Sequence, residues 1–482
     1  MQRYLVLLAI CCGVLTPALS YAADENTGLK AGAATSNITP PLGLPIVGGF
    51  APTPSKHIHD ELFARCLVLD DGKNRLALVV CDLLGISVEL CNQARAQIEK
   101  QTQIPESNIL LCATHTHSGS SALGGHRFDP NAPLDDYQKF IVTRIADGVQ
   151  RAMNNLRPAE FAFGTVSIPE HVFNRRWYLK PGTMPMNPFG NTNDKVKMNP
   201  GAGNPNLVEP AGPTDPVVSI LSVRDRKGVP ICVLASYSLH YVGGVPGTAI
   251  SSDYYGEFSE HYLRLAGNSE QDPPLVPIMA NGTSGDINNI NFREPRPAKP
   301  PYEQIRYVAH DVAQKVYDTV QKLKYSKDVP LTAVMRKPEM TFRHPEPELL
   351  AWADKTVADG PKKATDLSYI YAQRVQNVAN YPEKGKIPLQ VLRIGDLCIG
   401  TMPCEVFCEI GLEFKKKCPQ QPAFLMSLSH GYVGYLPPPR QHDLGGYETW
   451  LGTNRLEREA SDKMLAQLLE MVQETQKSLT QK

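Results

Sequence analysis

The sequence predicts an α/β fold in which layered mixed sheets are flanked by helices. Two observations carry that expectation. Apolar runs of strand length alternate along the chain with longer segments of helical spacing, and such interleaving argues for α/β layers rather than segregated helical and sheet domains. Several of the strand-like runs also end in glycine-rich polar loops, the usual place for a site in an α/β sheet.

The elements follow in order. Leu76 to Leu84 and Ile109 to Thr114 are strand-like, and Val88 to Gln101 between them has helical spacing. Leu134 to Leu156 predicts a long amphipathic helix, with Phe140, Ile141, Ile145, Val149 and Met153 recurring at helical intervals. Val217 to Val223 and Ile231 to Tyr237 predict a strand pair across the turn-prone Asp225 to Gly228. Pro230 sits just before the second strand, where it removes no central ladder bond. Tyr302 to Leu323 predicts a helix opened by Pro300 and Pro301, and Leu389 to Ile394 with Leu397 to Met402 a hairpin across Gly395 and Asp396. A final helix is expected from about Leu456 to Ser478. Tyr178 to Asp215 is dense in Pro, Gly and Asn without periodicity, which predicts a surface loop near the site.

Composition narrows the class. Lys and Arg together number 49, as do Asp and Glu, so no electrostatic footprint points to nucleic acid. Arg3, the short apolar run Tyr4 to Pro17 and the small-x-small step Ser20-Tyr21-Ala22 form a secretory signal peptide over residues 1–22. Export to the periplasm or medium is therefore expected. No later run reaches the roughly 18 apolar residues of a membrane helix, so the mature chain is expected not to span a membrane. Of the 11 cysteines, Cys11 and Cys12 fall in the leader. The odd remainder leaves at least one unpaired within the chain, and mostly buried cysteines with one or two bridges are expected. The sequence leaves oligomeric state open.

The chemistry starts at Thr114-His115-Thr116-His117-Ser118-Gly119, an apolar run emptying into a small-residue loop. Histidines two apart on a regular strand share a face. Metal ligands and ordinary loop histidines bonded to backbone remain equally open on this motif alone. His240 repeats the arrangement ahead of Gly243 and Gly244, and Asp253 stands at a helix start where it could cap. A third run ends in Asn281-Gly282-Thr283-Ser284-Gly285-Asp286. Near the C-terminus come Pro403-Cys404-Glu405 and His430-Gly431-Tyr432-Val433-Gly434-Tyr435. Cys404 and Cys408, four apart, fit a buried helical face more simply than a thiolate metal site. His57, His59 and His442 are surface residues or neighbours of the site, His59 being the one most expected to face it.

Together these motifs resemble the neutral ceramidase family in unchanged order, with Ala31-Gly32, Asn37-Ile38-Thr39, Ile58-His59 and Asn174-Arg175 also matching. The resemblance implies one catalytic domain over residues 23–482, without the immunoglobulin-like domain that follows it in the larger members. It implies a zinc site at the loop ends of strands, with His115, His240, Glu405 and Tyr435 as ligands. It also implies His117 as the proton-transfer histidine, Arg175 as the active-site arginine, and Tyr447, twelve residues after Tyr435, as the second functional tyrosine. Two imidazoles and a carboxylate leave zinc a position for water, whose pKa falls to about 7 there. The implied reaction is hydrolysis of an N-acyl amide, in ceramide or a related small-molecule or lipid substrate. The sequence departs from the family at Gly285-Asp286-Ile287-Asn288: Asn288 stands where the family carries Ser, and Cys404 where it carries Gly. An amide is no nucleophile, so Asn288 is expected to hydrogen-bond substrate instead. A zinc hydrolase of another ester, amide or sugar-derived substrate, or an exported binding protein without turnover, remain the alternatives.

Overall fold

In the computed structural model, which describes residues 28–124, 133–267, 270–363 and 365–480, two sheets lie face to face between outer layers of helix. The expected signal peptide falls outside the described residues. The larger sheet comprises β1 (Lys30–Asn37), β2 (Phe63–Asp70), β3 (Arg75–Cys81), β4 (Ile109–Ala113), β5 (Arg157–Ser167), β6 (Val217–Asp225), β7 (Pro230–Tyr237) and β8 (Val276–Asn281), in the order β8-β7-β6-β5-β1-β2-β3-β4. Only the pairs β3–β4 and β7–β8 are parallel. The smaller sheet runs β9 (Leu331–Arg336), β10 (Leu389–Ile394), β11 (Leu397–Thr401) and β12 (Ala423–Met426), with β11–β12 parallel. The longer helices are α1 (Val88–Thr102), α2 (Asp136–Asn154), α3 (Asp253–Ala266), α4 (Glu303–Val320), α5 (Pro347–Asp359), α6 (Leu367–Ala379), α7 (Cys408–Lys417) and α8 (Ala460–Thr480). Each of α1, α3 and α7 bridges one of the three parallel pairs.

Side-chain alternation builds the layers. Cys66, Val79 and Leu111 pack on α1 and α2, while their neighbours Leu67, Leu78 and Leu110 face the smaller sheet. In the other half Ile220, Val233 and Met279 meet α3 and α4, and Leu221, Leu234 and Ile278 face inward. The smaller sheet gives Leu392 and Ile399 to the centre and Val391, Cys398 and Leu425 to α7 and α8. Strands β3, β4, β7 and β8, toward the two ends of the larger sheet, are buried on both faces, which is why they stand out as apolar runs.

Three expectations need correction. Residues 178–215 are not one loop: Val196–Met198 and Leu207–Pro210 flank Arg176–Leu179 in a three-stranded sheet. Strands of three and four residues are too short to show a period. The last helix begins at Ala460, because Leu456 is drawn into a bridge with Phe342. All nine described cysteines are buried free thiols, so the expected bridges are not formed among them. Among the described residues no helix is long and apolar enough to cross a membrane.

Candidate metal centre

Three strand ends meet at one place. β4 stops at Ala113, and Thr114 N–H and His115 N–H donate to the Cys81 and Leu83 carbonyls. His115 then takes φ +81°, a left-handed conformation costly for a side-chain-bearing residue. The alternation of a regular strand therefore does not align His115 with His117; this turn does. His115 Nδ1 lies 2.6 Å from the Leu84 carbonyl oxygen. From the other half of the sheet, His240 follows β7, with Nδ1 3.1 Å from the Ser284 carbonyl oxygen. His117 bonds the backbone of Gly48, and a Cβ on Gly48, whose φ is +123°, would come within 2.7 Å of the His117 ring. Tyr241 stacks on the other face of that ring at 3.8 Å.

A carbonyl only accepts, so the His115 and His240 bonds place the ring proton on Nδ1 and leave an Nε2 lone pair. Those lone pairs point at one another. Nε2 of His115 lies 3.1 Å from Nε2 of His240 and 3.1 Å from Nε2 of His117. The three rings offer ligand atoms within 4.8 Å of one another. Burial first, and the His115 ring next, push His117 and His240 well below the ordinary histidine value, so both rings are neutral.

Glu405 arrives from the smaller sheet, just after β11. Glu405–Val406 pairs in parallel with Tyr435–Leu436, Glu405 opposite Tyr435. Glu405 Oε2 lies 3.2 Å from His115 Nε2 and 3.7 Å from His240 Nε2, yet no donor satisfies this buried oxygen. Its partner Oε1 accepts from the Tyr432 hydroxyl at 2.6 Å. Burial would raise the Glu405 pKa, but His115 and the Tyr432 and Tyr435 hydroxyls hold it down to about 2. The close approach needs Gly285, where a Cβ would stand 2.5 Å from the Glu405 carbonyl oxygen. Facing lone pairs and an orphaned carboxylate oxygen are a donor set that a divalent cation satisfies, and the imidazole–carboxylate mixture suits zinc.

Arg175 borders this centre. Its Nε donates to Glu448 at 3.0 Å, and its Nη2 to the Gly285 carbonyl and the Tyr435 hydroxyl at 2.8 and 2.9 Å. Burial works against its charge, but Tyr435, Glu448 and Glu405 raise its pKa well above the ordinary value. Tyr435 itself is pushed well above the ordinary phenol value by burial, against Arg175. The Tyr447 ring packs edge-on to Tyr435 at 5.6 Å, and its hydroxyl is bonded by Arg374.

The structure thus brings His115, His117, His240, Glu405, Tyr435, Arg175 and Tyr447 together. Asn288 stands apart from their hydrogen bonds: its Nδ2 donates to Asn199 at 2.7 Å and its Oδ1 accepts from Ile290 N–H at 2.9 Å. Asp253 is the first residue of α3 and Ser252 its N-cap, which makes no side-chain cap bond. The Asp253 carboxylate takes the Tyr254 N–H in the first turn of α3 and the N–H groups of Val242 and Gly243, which ties the loop after His240 to the helix start. His59 stacks on Tyr302 at 3.6 Å in a separate pocket with Asp60 and Glu257. Cys404 and Cys408 are fully buried in the apolar layers. Sequence reasoning missed Tyr432, Tyr241 and Glu448; only their closeness in sequence to Tyr435, His240 and Tyr447 marked them.

Comparisons with known proteins agree with this architecture. The neutral ceramidase of Pseudomonas aeruginosa is 25% identical over 258 residues, covering 51% of this chain and 34% of that relative's length. The matched stretch is thus about a third of that protein. The crystal structure of the neutral ceramidase from that organism superposes with a TM-score of 0.70 at 17% identity, covering 93% of this chain and 74% of the other. A structure described as ceramidase complexed with C2 gives 0.69 at 16%, over 93% and 75%. At such identities these two likenesses show the fold alone. The family model described as neutral/alkaline non-lysosomal ceramidase, N-terminal, matches residues 30–295, more than half of the chain, and the protein belongs to that family.

Proposed function

We propose that the protein is an exported, zinc-dependent hydrolase that opens an N-acyl amide bond in ceramide or a related lipid. The observation carrying this reading is the convergence of the His115, His117 and His240 rings, with the unsatisfied Oε2 of Glu405 3.2 and 3.7 Å from Nε2 of His115 and His240. His115, His240, Glu405 and Tyr435 would hold the ion. Zinc, when bound, supplies the Lewis acidity that makes water a nucleophile near neutral pH. His117 is the least buried of the three histidines, and with its ring tied to the Gly48 backbone it takes up a proton and passes it to the leaving nitrogen. Arg175, held at Nε and Nη2 by Glu448, Gly285 and Tyr435, donates to the acyl oxygen as charge builds there. Tyr447 is the second donor, each such contact being worth roughly 2.7–4 kcal/mol. Asn288, with both amide atoms engaged within the fold, is given no step.

An apolar tail on the substrate is supported by a groove of about 820 Å³ lined by Leu44, Pro45, Val47, Tyr137 and Phe140. It adjoins Gly48, the backing of His117, and apolar clefts of this size suit long hydrocarbon groups. One observation favours a second reading, a zinc hydrolase of another ester or amide. Asn288 occupies the family's Ser position and its amide is already spent within the fold.

The test is a substrate screen on zinc-loaded protein with His115→Ala as control. Fatty acid release from labelled ceramide at neutral pH supports the first reading. Cleavage of a different ester or amide without ceramide turnover selects the second. Stoichiometric zinc with no turnover of any substrate identifies a binding protein. Unchanged zinc content in both His115→Ala and His240→Ala overturns the metal centre.

A further inference from the structure

The loop after β12 makes two unusual turns before it reaches Tyr435: Leu428 and His430 have φ of +54° and +66°. His430 is buried, contacted at Nδ1 by Arg95 from α1 and at Nε2 by Gln390 from β10, at 3.0 and 3.1 Å. The loop is thereby tied to both sheet systems. Beyond it the backbone is clamped to the Glu405 segment, Val433 N–H to the Pro403 carbonyl at 2.8 Å and Glu405 N–H to the Gly434 carbonyl at 3.0 Å. Tyr432 sits inside that clamp, and its hydroxyl donates to Glu405 Oε1.

The ring of Tyr432 touches the other side of the centre. It packs with Val47, Leu84 and Leu123 and fills the space a Cβ on Gly85 would need. Leu84 is the residue whose carbonyl holds His115 Nδ1. One side chain therefore acts on two elements of the centre. Its hydroxyl commits one carboxylate oxygen of Glu405 and turns the other toward the histidines, and its ring backs the segment that sets the His115 tautomer. Arg455 lies over the same ring at 5.7 Å and holds it from behind.

We infer that Tyr432 is a positioning residue of the metal centre, restricting Glu405 to a single ligand oxygen while bracing the Leu83–Gly85 carbonyl support of His115. This rests on the metal-centre reading above. Hydrogen bonds to ligating carboxylates and histidines orient them, and losing such a partner typically lowers metal affinity about 10- to 100-fold. Tyr432→Phe keeps the ring and removes only the hydroxyl.

The experiment is chelator competition with Zn²⁺ on the full chain, paired with the visible spectrum of the Co²⁺-loaded protein. Wild type, Tyr432→Phe, Tyr432→Leu and His240→Ala are compared. Wild type is expected to bind one ion and His240→Ala to lose it. Tyr432→Phe should bind about 10- to 100-fold more weakly, with shifted Co²⁺ bands as Glu405 changes its mode of ligation, and a metal-free melting temperature close to wild type. Tyr432→Leu should bind more weakly still. Wild-type affinity and an unchanged Co²⁺ spectrum in Tyr432→Phe, with His240→Ala metal-free, overturn the role of Tyr432 alone. Absence of stoichiometric binding to wild type overturns both readings.

Discussion

Arg175 and Glu448 form a fully buried ion pair, and Arg176 claims the second oxygen of the same carboxylate at 2.6 Å. One glutamate thus balances two guanidinium groups directly beside the metal centre. Removing one member of a buried ionic group leaves uncompensated charge and costs about 3–5 kcal/mol. Glu448→Gln is therefore expected to lower stability in urea titrations by that order. It should also lower kcat, because Arg175 loses the bond to its Nε. Wild-type stability in this variant would overturn the expectation.

Asp286 gives a pH-dependent contribution of unusual sign. Burial raises its pKa from 3.8 to about 6, although the Cys408 N–H and the Asn174 amide favour the ionised form. A carboxyl that holds its proton more tightly when folded stabilises the fold at low pH. That contribution is present below about pH 4 and is lost as pH rises through about 6, by up to about 3 kcal/mol. Relative to Asp286→Asn, wild type should therefore lose stability between pH 4 and 6. Parallel stability profiles for the two proteins would exclude this.

The groove beside Gly48 predicts a chain-length effect. Phe140 lines it and is 41% exposed, so Phe140→Asp should leave the fold intact. On N-acyl amides the variant should raise KM about 10-fold or more for long chains, since each buried methylene contributes about 0.8 kcal/mol. Short acyl chains should be unaffected. Equal effects on both would place the tail elsewhere.

The thiols offer a fourth check. Burial raises Cys66 and Cys91 to about 12, so neither carries appreciable thiolate at neutral pH. Alkylation of the native protein should be slow, and nine thiols should react once the mature protein is unfolded without reductant. A lower count would mark a bridge.

Most of the layered core was legible because β3, β4, β7 and β8 are buried on both faces and their sequences are largely apolar. β1, built of Lys, Ala, Gly, Thr, Ser and Asn, was not, since small residues that let α2 lie close carry no hydrophobic signal. The ligand types at positions 115, 240, 405 and 435 were visible, but only through resemblance to a family pattern. The geometry that makes them a centre was hidden. The turn at His115, the carbonyls that fix each tautomer and the Tyr432 contact are all set by residues distant in sequence, and no local pattern encodes them.

The proposed ligands span 115 to 435, His115 and His240 following strands of the larger sheet and Glu405 following the smaller one, so an ion bound there would tie the two layers together as a cross-brace. Loosening the smaller sheet would withdraw Glu405 and Tyr435 together, since they share one ladder. Metal occupancy and global unfolding are then linked: at a thousandfold excess over Kd, binding adds about 4.1 kcal/mol to the folded state. On the proposed ligand set, scarcity of the ion would weaken the whole molecule before it emptied the site, and degradation would follow metal supply.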